Sequence, residues 1–302
     1  MDVLSIIKKR RSIRNFEKKE IPENVLQALI EALIWAPSAG NLQSRKFYFV
    51  KDEKLKKGLA SAAKKATRSA SQGVISITAE GGVAVIAELN CETDFVARTD
   101  DFRALVEETG SLLLKASDPS AVTGRIEEMI KEKIAKLGEN IVLRRSEKFD
   151  LAGAAGGFGS YIHMDKIGVL VEALCSQAAH AETDAFRTMM KDLAMQIAAS
   201  NPSYVSRESV PQDVLAREKE IYRGQVAGKP ANVIDKIVDG KVEKFYSDVC
   251  LVDQIFVKDP EGKKKVKDIV AETAKQVGGE ITIRRFLRFQ LGEGQPSEPA
   301  SC

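Results

Sequence analysis

The sequence predicts an α+β chain built from two related subdomains, the second carrying a helical-hairpin insertion, with a short helix–helix–strand segment ahead of them. Three observations predict this. Hydrophobic periodicity switches from two to the helical 3.6 and back within residues 73 to 143. A similar pattern returns later in the chain: Gly82-Val83-Ala84-Val85 matches Gly168-Val169-Leu170-Val171 at an offset of 86, and Ile141-Val142-Leu143-Arg144-Arg145 matches Ile281-Thr282-Ile283-Arg284-Arg285 at an offset of 140. Between the two matches the offset grows by 54 residues, so the second copy holds an insertion of about that size.

The elements follow in order. Asp2 is placed to cap a short helix with Val3, Ile6 and Ile7 inward, and Pro22 opens a second, where its missing N–H costs nothing. Pro37-Ser38-Ala39-Gly40-Asn41 breaks that helix, and Phe47 to Val50 reads as a strand. Residues 51 to 70 are basic and helical in pattern. Ile75 and Ile77 then alternate with Ser76 and Thr78, Glu80-Gly81-Gly82 turns the chain, and Val83, Val85, Ala87 and Leu89 alternate on the return, which describes a β-hairpin. Helical stretches at about 100 to 117 and 121 to 137 precede a strand, Ile141 to Leu143. LAGAAGGFG, 151 to 159, is a glycine-rich connection to the second copy. Residues 211 to 227 and 231 to 248 are helical, separated by Gly228-Lys229-Pro230; glycine ends one helix and proline opens the next, so an antiparallel helical hairpin is expected. The tail GEGQPSEPASC is polar and expected to be disordered. Domain boundaries are set at 1–56, 57–150 and 151–302.

Bulk properties narrow the function. The 46 Lys and Arg against 43 Asp and Glu leave a net charge of +3, too little for a general attraction to nucleic acid. The N-terminus MDVLSIIKKRRSIR lacks the apolar core of a signal peptide, and no run approaches the ~20 apolar residues of a membrane span. Cys91, Cys175, Cys250 and Cys302 form no C-x-x-C pair and there are two histidines, so no metal site is expected and the thiols are read as reduced in a cytoplasm. A protein partner or a small ligand suits this chain better than a membrane or a specific nucleic acid.

Several motifs carry a resemblance. NCETDFVA (90 to 97), GENIVLRR (138 to 145), SYIHMDKIGVLVE (160 to 172), IAASNP (197 to 202), FVKD (256 to 259) and IRRFLRFQLGEG (283 to 294) resemble the elongation factor Ts family, in family order over residues 57 to 302. The resemblance implies two subdomains of that family's dimerization-domain type and no chemistry of their own. It implies a guanine-nucleotide exchange factor that binds elongation factor Tu in its GDP-bound and nucleotide-free forms, with a homodimer left open. Thr93, Asp94, Phe95 and Val96 would then form the loop that inserts beside the partner's magnesium site. Read without the family, the same residues make a helix cap, with Thr93 or Asp94 accepting a backbone N–H and Phe95 in the local core. Glu182-Thr183-Asp184-Ala185 is a candidate echo of the loop in the second copy, without the ring. Further partner contacts are expected at His163, in the second hairpin, and Gln196, where the family often carries histidine; Ile255 stands where it usually has proline. Arg144, Arg145, Arg284 and Arg285 follow matched strands, so a repeated structural role is expected for them rather than phosphate binding.

The family's usual N-terminal helical bundle has no counterpart in residues 1 to 56. Instead KKRRSIRNF (8 to 16) and WAPSAGNLQSRKFYFVKDE (35 to 53) resemble the opening of the FMN-dependent nitroreductase family. That likeness implies flavin-phosphate contacts at Arg11, Ser12 and Arg14, whose guanidiniums and hydroxyl suit a dianion, and a flavin-facing loop at Ser38 and Asn41. The rest of that enzyme's sheet and dimer helices has no counterpart, so FMN binding is not expected and an oxidoreductase is the rival reading.

Overall fold

A computed structural model describes residues 22–28, 52, 68–226 and 230–293. The chain divides into two compact units, residues 1–52 and 53–302. In the first, Pro22 does open a helix: its carbonyl accepts from the amides of Val25 and Leu26, and residues 23–28 are helical. The other expectations for residues 1 to 67, among them Arg11, Ser12, Arg14, Ser38 and Asn41, lie outside the described residues, as does the tail beyond 293.

The second unit contains both copies. Strands β1 (Gln72–Glu80) and β2 (Val83–Cys91) form the predicted hairpin. A one-turn helix α1 (Asp94–Ala97), α2 (Asp100–Lys115) and α3 (Thr123–Leu137) follow, and β3 (Ile141–Asp150) closes a sheet of order β1-β2-β3. The copy repeats this with β4 (Gly156–His163), β5 (Ile167–Cys175), α4 (Ala178–Ala181), α5 (Asp184–Ser200), the hairpin α6 (Gln212–Gln225) and α7 (Ala231–Val249), then α8 (Val266–Val277) and β6 (Ile281–Gln290), in sheet order β4-β5-β6. All pairings among these six strands are antiparallel.

The central strands are buried on both faces. Val85, Ala87 and Leu89 point to a core formed with α2 and α3, while Ala84 and Ile86 point to a second core shared with Leu170 and Phe289 of the other sheet. Val169, Val171 and Ala173 likewise face α5 and α8. The unit is therefore layered helix, sheet, sheet, helix. Successive strand side chains alternate faces, so an inner strand in such a stack becomes apolar throughout. The helical hairpin has a small core of its own around Val226, Val238 and Val242.

Three expectations need correction. The strand read at 141 to 143 runs on to Asp150. Its second half, RRSEKFD, is polar enough to hide the alternation, but Phe149 is buried between the sheets. The glycine-rich connection shortens to 151–155, because Gly156, Gly157 and Gly159 belong to β4. A Cβ on Gly159 would stand 2.3 Å from the Met190 carbonyl, so glycine is what allows α5 to press its backbone onto that strand. The first offset is 84 rather than 86: Val83 sits opposite Asp150 and Ile167 opposite Gln290, so Val83 corresponds to Ile167. The sequence match aligned glycines with different work. Gly82 turns the hairpin at φ +85°, whereas Gly168 lies inside β5, where a Cβ would come within 2.3 Å of Ile75 Cγ2 on the facing sheet.

The repeated arginines are structural. Each central strand carries one fully buried glutamate beside a β-bulge, Glu88 and Glu172. Glu88 accepts from Arg144 Nη1 at 3.0 Å and Arg145 Nε at 2.7 Å; Glu172 accepts from Arg284 Nη1 at 2.9 Å and Arg285 Nε at 2.7 Å. The second arginine of each pair then stacks on the other sheet, Arg145 over Phe289 at 4.1 Å and Arg285 over Phe149 at 3.9 Å. Burial pushes the Glu88 carboxyl up, but the Gly292 amide and the Arg145 and Arg144 guanidiniums outweigh it and hold the group below its ordinary range.

This gives an acid-stability prediction. A carboxylate with a depressed folded pKa stabilises fully above its unfolded value, about 4.3, and that contribution is lost as pH falls through the folded value. Glu88→Gln leaves guanidiniums without their counter-charge and is expected to cost about 1–3 kcal/mol at neutral pH. Urea unfolding should show that cost shrinking below about pH 4; an equal difference between the two proteins at both pH values counts against the clamp.

Candidate functional site

The loop between β2 and α1 is built to hold one ring outward. Thr93 is the N-cap of α1, in extended backbone, and its Oγ1 accepts from Val96 N at 3.4 Å. The same hydroxyl donates to Glu139 Oε1 at 2.6 Å, and Thr93 N donates to Glu139 Oε2 at 3.0 Å. One residue earlier, Glu92 Oε1 accepts from Asn140 N at 2.7 Å, and Asn140 Nδ2 reaches the Arg68 carbonyl. The loop is thus stapled to the connection between α3 and β3. Val96 and Ala97 pack into the core beneath it, and the Cys91 thiol donates to the Thr93 carbonyl at 3.1 Å. Burial pushes that thiol up to about 12. Asp94 pairs with Arg98 at 3.0 Å along the helix.

Phe95 has none of this support. The residue is 80% exposed, on the outer side of a turn fastened through Thr93 and Glu92. The helix-cap reading is right about Thr93, but the local-core reading of Phe95 is not what the structure shows.

With the offset at 84, the counterpart of Thr93 to Val96 is Gln177 to His180, on α4. This corrects the expectation for Glu182 to Ala185, which corresponds instead to the start of α2: Thr183 caps α5 as Thr99 caps α2. In the second copy Ala179 stands at the ring position, and His180 is buried with its Nδ1 3.3 Å from Ser176 Oγ. The shared backbone therefore presents a ring once.

Opposite the Phe95 loop lies the tip of the β4–β5 hairpin. Met164 and Asp165 form its turn with φ +49° and +61°, and Met164 is 78% exposed. The two elements face one shallow cleft, lined by Gln72, Glu92, Phe95, Arg98, Met164 and Lys166 among others. His163 sits beside this tip, exposed, with Nδ1 3.2 Å from Tyr161 Oη. Gln196 is elsewhere and inward. It is fully buried in α5, donates to Gln254 Oε1 and the Ile255 carbonyl, and accepts from Val257 N. A side chain whose amide fastens the 254–257 segment has nothing to offer a partner, so the expected contact at Gln196 is replaced by an internal one. Glu139, Asn140, Met164, Arg103 and Asp165 were not singled out from sequence, although GENIVLRR and SYIHMDKIGVLVE, which contain four of them, were. Among the described residues no group of three His, Cys, Asp or Glu could hold a metal ion. No described helix is long and apolar enough to cross a membrane.

A family model for elongation factor Ts matches residues 92–293, from the start of the Phe95 loop to the end of the second sheet. The chain belongs to the elongation factor Ts family. Among curated relatives, the elongation factor Ts of Trichlorobacter lovleyi is 44% identical over 255 residues, covering 79% of this chain and 81% of the relative. That of Nautilia profundicola is 42% identical over 292 residues, 90% of this chain and 94% of its own length. That of Symbiobacterium thermophilum is 43% identical over 248 residues, 79% and 80%. A nitroreductase family model matches residues 7–109. This second match runs past residue 56 into β1, β2 and α2, which the β1-β2-β3 ladder builds into the elongation factor Ts unit.

The geometry of the loop separates two kinds of residue by stability. Phe95→Ala should change unfolding free energy by no more than about 0.5 kcal/mol, since the ring is exposed. Thr93→Ala removes a cap and the bond to Glu139 and should cost about 1 kcal/mol or somewhat more. Urea unfolding of both variants checks this ordering; a Phe95→Ala protein destabilised more than Thr93→Ala would put the ring back in the core.

Proposed function

We propose that residues 57 to 302 act as a guanine-nucleotide exchange factor on elongation factor Tu, with Phe95 as the inserting group. The observation that carries this reading is an exposed aromatic ring on a loop stapled to the rest of its copy through Glu139 and Asn140. An apolar ring in water gains free energy when a partner covers it. A loop already held by Glu139 and Asn140 loses little freedom in delivering it.

In this reading the ring enters the partner beside its magnesium site and wedges apart the groups that hold the metal. Losing the metal removes charge that neutralises the nucleotide's phosphates. The factor stabilises the nucleotide-free partner, so by linkage factor and GDP weaken each other's binding by the same ratio. Asp94 and Val96 flank the ring at the contact, and exposed His163 lies on the same side of the unit as the cleft-lining Met164. The chain does no bond chemistry in this scheme, and the cytoplasm is where it would act.

The nitroreductase match favours a second reading, an FMN-dependent oxidoreductase resting on Arg11, Ser12, Arg14, Ser38 and Asn41. We hold it the weaker one, because the strands after residue 72 are committed to two three-stranded sheets of another fold. The purified chain is expected to carry no stoichiometric flavin. An absorption band of bound flavin at one per chain would reverse the order of the two readings.

Stopped-flow release of fluorescent GDP from elongation factor Tu tests the first. A buried interface aromatic is worth about 2–4 kcal/mol on truncation. Phe95→Ala should therefore slow catalysed release by roughly 30- to 1000-fold, and Asp94→Ala by less, since the ring remains. A Phe95→Ala factor that exchanges at the normal rate removes the wedge. Deleting residues 1 to 50 should weaken binding by less than about tenfold, or 1.4 kcal/mol, because the loop and both sheets remain.

A further inference from the structure

Across the cleft from Phe95, an ion pair ties the two copies together. Arg103, in the first turn of α2, extends Nη2 to 2.6 Å from Asp165 Oδ2 in the β4–β5 turn. The Asp165 carbonyl also accepts from Ile75 N on β1 at 2.9 Å. That amide lies on the free edge of β1, whose other edge pairs with β2, so the turn covers an outward donor of an edge strand. Both groups are partly exposed, 39% for Arg103 and 43% for Asp165, and neither is part of the arginine clamps. Arg103 holds the Asp165 carboxyl below the usual carboxylate range. Met164 and Asp165 are the central residues of a turn in which Lys166 N donates to the His163 carbonyl, and both hold positive φ, a conformation that costs a methionine and an aspartate energy.

We propose that Arg103 and Asp165 are positioning residues for the partner-facing surface: their bridge docks the β4–β5 turn on β1, so that the Phe95 loop and the Met164 tip meet the partner at a fixed separation. This rests on the exchange reading and adds a second element to it. Arg103 lies eight residues after Phe95, at the start of the helix that follows the wedge. The bridge consequently reaches from the wedge's own supporting helix to the turn of the other copy. Without it the turn is held by its strand ladder and the Ile75 amide, and its two elements move apart more freely. Small misplacements of contact groups cost disproportionately in rate.

The test uses the full chain with Arg103→Gln, Asp165→Asn and the swap R103D/D165R. In the free protein, amide hydrogen exchange at Ile75 reads docking of the turn directly, and urea unfolding checks that the variants remain folded. Exchange at Ile75 is expected to quicken roughly 3- to 10-fold in each single variant and to slow again in the swap, with global unfolding little changed. In GDP release from elongation factor Tu, each single variant should lose roughly 3- to 10-fold in kcat/KM, and the swap should recover most of it. The loss should shrink when the same substitutions are made in a Phe95→Ala background, because a positioning group acts through what it positions. Unchanged Ile75 protection in both single variants, or effects that simply add to Phe95→Ala, overturns the proposal while leaving the exchange reading intact. A wild-type chain that releases no GDP overturns the exchange reading, and the bridge's part in it falls too, whatever Ile75 shows.

Discussion

The structure depends on a pair of crossed arginine clamps. Two glutamates are buried at the centres of two sheets, a placement that a charged group tolerates only when paired and hydrogen-bonded. Each is neutralised by two arginines from the neighbouring strand of its own sheet, at a bulge that lets consecutive residues reach the same carboxylate. The second guanidinium of each pair then lies over a phenylalanine of the opposite sheet. Satisfying a charge within one sheet and packing against the other are therefore the same event. The inner apolar layer of Ile75, Ala84, Ile86, Phe149, Leu170 and Phe289 fills the space the clamps enclose. Arg145 also donates to the Gln290 carbonyl and Arg144 to that of Glu293, carrying the link beyond the end of β6.

Because the sheets are locked face to face, their connecting segments fall at defined places. The β2–α1 loop of the first copy and the β4–β5 turn of the second come to one cleft, though about 70 residues of chain separate Phe95 from Met164 and Asp165. Two sources of rigidity converge there. The loop is fixed from within its own copy by Glu139 and Asn140, and the turn is fixed from outside by Arg103 and Ile75. Phe95 and Met164 are left exposed on supports that are otherwise satisfied.

Much of this was legible in the sequence, and the failures have physical causes. The alternation of Val83, Val85, Ala87 and Leu89 located β2 because one face packs on helices. The intervening Ala84 and Ile86 are equally buried, yet a repeat of two cannot announce a second sheet on the other face. Matching Gly82 to Gly168 misplaced the first offset by two residues, since the letter is the same while one glycine makes a turn and the other makes room for Ile75. The candidate echo at Glu182–Ala185 is a separate letter match, Glu-Thr-Asp against Glu92-Thr93-Asp94, whereas the strand ladders place the counterpart of Thr93 to Val96 at Gln177–His180. The arginine repeat itself points to a structural role, but its partners Glu88 and Glu172 are single acidic residues in apolar strands and carry no spacing signal. A family motif marks the place of Gln196, but only tertiary packing reveals that its amide turns inward. The helical hairpin, by contrast, was marked locally by glycine and proline and stands within a residue or two of where it was placed.

The alanine at position 179 bears on stoichiometry. A duplicated fold with two equivalent faces would ordinarily be bivalent, free to crosslink two partners or to gain avidity from both. Here the backbone of the wedge is copied, but the side chain that would do the inserting is reduced to a methyl group on one side. The second copy is thereby released from carrying a ring and lends its hairpin tip to the first copy's cleft instead. The repeated fold carries one composite face rather than two simple ones, and in the proposed exchange reading each chain offers a partner one inserting ring.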